Sequence, residues 1–151
     1  MTSTGESISS PIKHDPTSSD LEKEQKDFFE KIERLTSAEK VDKMILQSGM
    51  ITADGYSVYQ LESTDQERIS KWVNLMQSLK TTPLPIEFLG GGSYELAFVV
   101  AGKKIELGIF YSDMINVYGE NNLAVMLRID NYDELYSTFK ALEKEMGYPK
   151  D

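Results

Sequence analysis

Five apolar, β-prone segments crowd the second half of this chain, and the connections between them are too short for anything but antiparallel pairing. The segments are PIEFL, YELAFVVA, KIELGIFY, MINVY and LAVMLRI. Between them lie Gly90-Gly91-Gly92, Gly102-Lys103, Ser112-Asp113 and Gly119-Glu120-Asn121-Asn122. Parallel neighbours need a crossover of a dozen or more residues, so these segments form a meander of hairpins. Tyr94, Leu96, Phe98 and Val100 alternate with Glu95, Ala97, Val99 and Ala101, a strand apolar on both sides and therefore central.

Upstream, MILQSGMITA, Asp54-Gly55 and YSVYQLE read as a further hairpin, with Asp-Gly supplying the positive φ angles of its turn. Thr36 and Glu39 also fit a capping box that would start a helix there; the hairpin is the reading adopted. Two amphipathic helices complete the domain. One is capped by Ser63 or Thr64 and carries the stripe Ile69, Trp72, Val73, Met76 and Leu79 until Pro83 and Pro85 stop it. The other, Tyr132 to Met146, buries Leu135, Phe139, Leu142 and Met146 and ends at Gly147. The expected fold is α+β: an antiparallel sheet (hairpin plus meander), two amphipathic helices on one face, and an extra N-terminal helix.

That extra helix spans residues 21–36, where Asp20 can cap the stripe Leu21, Phe28, Ile32 and Leu35. So narrow a stripe serves a stalk or a docking helix, and the stalk is favoured. Residues 1–20 are rich in Ser, Thr and Pro and cannot offset their ordering entropy, so they read as a disordered tether. Residues 37–151 form the single domain, a suitable length for one core.

Composition narrows the chemistry. The chain has no cysteine, and its one histidine, His14, lies in the tether. Thiol nucleophiles, Ser-His and Cys-His triads and thiolate metal sites are thereby excluded. No cofactor and no metal is expected. A formal net charge of -9, spread along the chain, repels phosphate backbones and anionic headgroups, so nucleic acid is not an expected partner. The longest apolar run, Leu96 to Ala101, is far short of a bilayer span.

Local motifs add little chemistry. Ser37-Ala38-Glu39-Lys40 matches the Ser-x-x-Lys pattern of penicillin-recognising enzymes, but Ser112-Asp113-Met114 and Lys80-Thr81-Thr82 break its companion motifs. Gly90-Gly91-Gly92 leads into a strand and lacks the context of a phosphate loop, leaving a hairpin loop able to close over a partner. Glu95 and Glu106 can face each other across adjacent strands, which would raise one carboxyl's pKa, although Lys103 and Lys104 favour a solvated charge cluster. The expected contact residues are Gly91 and Gly92 in the loop and Tyr111, Asp113, Asn116 and Tyr118 on the meander, where exposed Tyr and Asn make good binding groups.

ERISKWVNLMQSLKTTPLP, YELAFVVAGKKIELGIFYSDMINVYG and YDELYSTFKALEKEMGY together resemble small domains of exported lipoproteins of Gram-positive bacteria, over Met44 to Tyr148. The resemblance implies a domain outside the cytoplasm on a Ser/Thr-rich tether behind a lipidated cysteine. This sequence carries neither that cysteine nor a signal segment, so Met1 would stand in place of both. The expected function is non-enzymatic binding of a protein or cell-envelope ligand, with membrane contact only through a lost N-terminal lipid anchor. The alternatives are a cytosolic immunity or inhibitor protein whose acidic surface neutralises a basic toxin or enzyme, and a hydrolase that uses carboxylates alone.

Overall fold

The computed structural model describes residues 17–53, 55–85, 94–118 and 124–149, with positions 50–52, 56, 118 and 124 described by backbone alone. The chain is α+β. Three helices, α1 (Ser18–Ser37), α2 (Gln66–Gln77) and α3 (Tyr132–Met146), accompany strands β1 (Lys43–Thr52), β2 (Gly55–Ser63), β3 (Thr81–Leu84), β4 (Tyr94–Val100), β5 (Lys103–Tyr111), β6 (Met114–Tyr118) and β7 (Ala124–Ile129). The strands form one seven-stranded sheet in the order β2-β1-β4-β5-β6-β7-β3. Every neighbouring pair is antiparallel, as the short connections demand.

One strand lies where the sequence did not place it. The expected segment PIEFL falls largely outside the described residues, and Thr81–Leu84 pairs with β7 instead. Pro83 lacks a backbone N–H, yet β3 is an edge strand bonded on one side only, so the missing donor costs no ladder bond. In the first hairpin Thr52 pairs with Gly55, so Gly55 opens β2 and is not a turn residue as the Asp-Gly reading has it, while Asp54 lies outside the described residues.

Helix α1 starts earlier than expected. Its N-cap is Thr17, whose hydroxyl accepts the Asp20 N–H while the Asp20 carboxyl accepts the Thr17 N–H, a reciprocal capping box. Asp20 is thus the third helical residue and not the cap. Nor is α1 a stalk: Phe28, Ile32 and Leu35 are buried in the core. Thr36 starts no helix; it closes the last turn of α1, donating to the Glu33 carbonyl at 2.8 Å. The cap of α2 is Asp65, one residue after the expected Ser63 or Thr64, accepting from the N–H groups of Glu67 and Arg68 at 3.0 and 3.2 Å. A carboxylate there also complements the helix dipole, which a hydroxyl cannot. Helix α3 has the expected bounds and stops at Gly147, which takes a left-handed conformation.

Buried residues of all three helices meet alternate strand residues, among them Met44, Leu46, Leu96, Phe98, Leu107, Ile115 and Leu127, in one core. Period-two alternation puts Ile45, Ala97, Asn116 and Met126 on the other face of the sheet, and they too are buried. A polar link ties α3 to the sheet inside this core. The Tyr94 hydroxyl donates to the Glu143 carboxyl at 2.7 Å, Glu143 being only 6% exposed. Lys140 lies 3.4 Å from the other Glu143 oxygen, and the Tyr94 ring stacks on Phe110. Burial, and next the Glu143 charge, push the Tyr94 phenol well above its usual range, so it stays a donor at any ordinary pH. Replacing Tyr94 by phenylalanine keeps the packing and strands the carboxyl, an expected loss of about 1.5–3 kcal/mol. Urea denaturation reads it, and an unchanged midpoint would mean the bond contributes nothing.

Candidate functional site: a basic cleft beside the β4–β5 hairpin

Val100 and Lys103 pair across a two-residue turn in which Ala101 (φ 51) and Gly102 (φ 78) both adopt left-handed angles. That double-positive turn matches strand twist and lets two strands join with no spare residue. It also places Lys103 and Lys104 at the hairpin end on opposite faces of the strand, Lys103 beside Val100 on the core side and Lys104 on the side of Glu95. On the helix, Lys31 and Arg34 are three residues apart and so lie on one side of α1. The Lys31 ammonium donates to the Glu106 carbonyl at 3.0 Å, tying helix to strand.

Between these elements lies a cleft of about 580 Å³ lined by Lys31, Arg34, Ser37, Ala38, Val100, Lys103, Lys104, Ile105 and Glu106. Ala38, Val100 and Ile105 supply apolar lining, and the lysines and Arg34 supply charge. Arg34 also sits in the last turn of α1, where a cation complements the helix dipole. That accounts for Arg34 and not for Lys31 or Lys103. A second cavity of about 410 Å³, between α1, the 38–41 segment and α2, is lined mainly by neutral side chains with Glu39 and Lys40.

Elsewhere several basic residues pair with acids, Lys43 with Glu62, Arg68 with Glu145, Lys71 with Glu67 and Glu145, Arg128 with Asp130, while Lys26, Lys40, Lys80 and Lys144 make no ion pair among the described residues. Among the described residues, Lys31, Arg34, Lys103 and Lys104 make no such ion pair. The one acid on the cleft, Glu106, is engaged on the other side. It shares a hydrogen bond with Glu95, whose carboxyl is held above its usual range by burial first and by Glu106 second, against the pull of Lys104. The sequence raises a meeting of these two glutamates but favours a solvated charge cluster. In the register Glu95 lies opposite Ile109 and Glu106 opposite Ala97, so they meet diagonally.

Because the folded-state pKa of Glu95 is raised, its contribution to stability is full below the ordinary glutamate value of about 4.3 and is lost as pH rises through the raised value. Glu95→Gln stays neutral throughout. It should therefore gain stability over the parent as pH increases from about 4.3 towards neutrality. Urea midpoints at several pH values check this, and a gap independent of pH would refute it.

The expected contact residues do not gather at this cleft. Gly91 and Gly92 lie outside the described residues. Tyr111 is half-buried and pairs with Met114, while half-buried Asp113 accepts the Ile129 N–H on its carbonyl at 2.6 Å. Asn116, expected at an exposed position, is only 4% exposed, held on the central part of the sheet between Ile109 and Met126. Its side-chain oxygen has no hydrogen-bond partner among the described residues. Tyr118 ends β6 opposite Ala124, with its side chain outside the described positions. Ser37, the serine of the Ser-x-x-Lys match, donates its hydroxyl to the Glu33 carbonyl at 3.0 Å as a helix-terminal group.

The cleft went unread in the sequence because its cations come from two distant segments. Lys31 and Arg34 look like the solvated face of a helix, and Lys103 and Lys104 like a charged turn. No group of three or more acidic or histidine side chains among the described residues could hold a metal ion, and no described helix is long and apolar enough to cross a membrane. No family model, curated protein or solved structure matches this chain.

Proposed function

We propose that this chain is a non-enzymatic binding domain, held outside the cytoplasm on an N-terminal lipid-anchored tether, and that it takes a protein or cell-envelope ligand in the cleft between α1 and the β4–β5 hairpin. The observation that carries the binding half is the cleft itself, where Lys31, Arg34 and Lys103, without an ion-pair partner among the described residues, border an apolar lining in a protein with 25 acidic and 16 basic residues. Leaving cations unpaired amid an acidic excess costs attraction that a neighbouring carboxylate would supply, and an anionic ligand restores it. Helix α1 is part of the core and serves as no spacer, so the Ser/Thr/Pro-rich residues ahead of it carry the tether. The tether and the extracytoplasmic setting rest on that composition and on the likeness to exported lipoprotein domains.

The net charge of -9 favours a second reading, a cytosolic inhibitor that meets a basic partner with its acidic surface. Determining the 5′ end of the native reading frame and fractionating the full-length product separates the two. A signal segment ending in a lipid-accepting cysteine, with the product in the membrane fraction, is expected. A product that begins at Met1 and stays in the cytosol would overturn the tether and leave the inhibitor reading.

A further inference from the structure

We infer that the cleft between α1 and the β4–β5 hairpin is a site for a phosphate group carried on an aliphatic body. This deepens the function proposed above and rests on its assignment of the cleft as the ligand site. Three features select that chemistry. Lys31 and Arg34 approach from the helix while Lys103, opposite Val100, approaches from the hairpin, so an anion would meet donors from two elements. Lys104, opposite Val99, faces the Glu95 side of the sheet. A single carboxylate has two oxygens and one charge and would satisfy at most two of them. A phosphate offers more oxygens and, as a monoester, up to two charges; an arginine fork and flexible lysines suit it.

The second feature is the lining. Ala38, Val100 and Ile105 are aliphatic, and a volume of about 580 Å³ exceeds what an inorganic ion needs. It falls within the range of sites that hold small organic molecules, roughly 300–1,000 Å³. The rest of the ligand is therefore apolar and aliphatic; no aromatic side chain lines the cleft to stack on a base or a sugar ring. The third feature is that these cations are not consumed internally. Lys31 gives one bond to the Glu106 carbonyl, and Arg34 and Lys103 have no hydrogen-bond or ion-pair partner among the described residues. Glu106, the acid on the rim, shares its hydrogen bond with Glu95 and leaves the basic side of the cleft open.

The probes are dihexanoyl phosphatidic acid below its micelle concentration, inorganic phosphate, and vesicles of phosphatidylcholine with and without phosphatidic acid, each titrated into the wild-type protein by calorimetry or flotation. Saturable binding of the short-chain lipid at one per chain is expected, at least about tenfold tighter than inorganic phosphate. Arg34→Glu/Lys103→Glu should weaken it at least tenfold. Lys80→Glu/Lys144→Glu, which makes the same change in net charge at exposed positions away from the cleft, should leave it within about twofold. Both pairs are surface substitutions, and circular dichroism verifies folding. Arg34→Gln/Lys103→Gln gives an intermediate loss if charge is the cause.

Binding to phosphatidic acid vesicles as well as to the soluble lipid would identify a membrane lipid as the source, and binding to the soluble lipid alone a free phosphorylated aliphatic. Equal affinity for inorganic phosphate would overturn the role of the apolar lining. Absence of binding, or equal weakening by the two charge pairs, would overturn the site. If the native product is membrane-anchored and binds an envelope partner through this cleft yet ignores all the phosphates, the broader function stands and this inference fails. If phosphate ligands bind but the native product starts at Met1 in the cytosol, the inference survives and the tether does not.

Discussion

Trp72→Ala should cost about 3–5 kcal/mol of stability, the range for emptying a large aromatic site in a packed core. Trp72 is fully buried on α2 and meets Tyr94 edge-on, with ring centroids 6.3 Å apart. It therefore links α2 to the same tyrosine that holds α3 through Glu143, and its loss loosens two helices from the sheet. The indole N–H has no hydrogen-bond partner among the described residues, so part of its burial is unfavourable. Trp72→Phe, which keeps an aromatic ring and deletes that donor, should cost less than about 2 kcal/mol. Urea denaturation followed by far-ultraviolet circular dichroism measures both, since fluorescence loses its only tryptophan. An alanine variant within about 1 kcal/mol of the parent would show that the site collapses around the loss.

Gly108→Ala is expected to destabilise by roughly 2–5 kcal/mol, combining backbone strain with overpacking. Gly108 has φ 143, and an added Cβ would lie 2.7 Å from the Asn116 carbonyl oxygen and 3.1 Å from Ile115 Cγ2. The backbone oxygen belongs to the next strand and cannot swing aside. The position is also structural in a second sense: the β4–β5 register shifts here, from Leu96 opposite Gly108 to Ala97 opposite Glu106. This bulge lets Leu107 and Phe110 both reach the core and turns Glu106 towards Glu95. Gly102→Ala is the comparison, because φ 78 brings strain but no atom lies within 4 Å of the added Cβ. It should cost about 1–2 kcal/mol. Similar losses for the two variants would show that the close approach at Gly108 is relieved by backbone movement.

Much of the architecture is legible from local pattern. The meander strands from Tyr94 onward and helix α3 occupy the segments that alternation and helical spacing assign, and the hairpin of β1 and β2 forms as read. Errors fall where a local signal competes with another. Thr17 and Asp20 are both good caps, and the reciprocal pair wins over Asp20 alone because it satisfies two backbone N–H groups. Pro83 and Pro85 read as breakers, yet the sheet edge tolerates a proline and draws Thr81–Leu84 into pairing. The narrow stripe of α1 suggested a stalk because its lone-helix polarity is high; the sheet supplies the apolar partners that a stripe cannot reveal.

The site shows the same division more sharply. Glu95 and Glu106 are close in sequence and on adjacent strands, so strand order raises their meeting. A solvated charge cluster is nonetheless the favoured reading, because the register that joins them is not visible in the sequence. Asn116 looks like a surface residue because polar type and strand-end position both suggest exposure, and a central place in a seven-stranded sheet buries it instead. Lys31 and Arg34 stand about seventy residues from Lys103 and Lys104, and nothing in either segment refers to the other. Alternation, turn residues and helical stripes act between near neighbours, so the amino-acid sequence alone settles most of the strand and helix segments, β3 excepted, that strands pair antiparallel, and which chemistries have no side chains to support them. Where α1 docks, how the bulge at Gly108 sets the register, and which cations meet over an apolar lining depend on burying surfaces distant along the chain. Those contacts form only when the whole core closes.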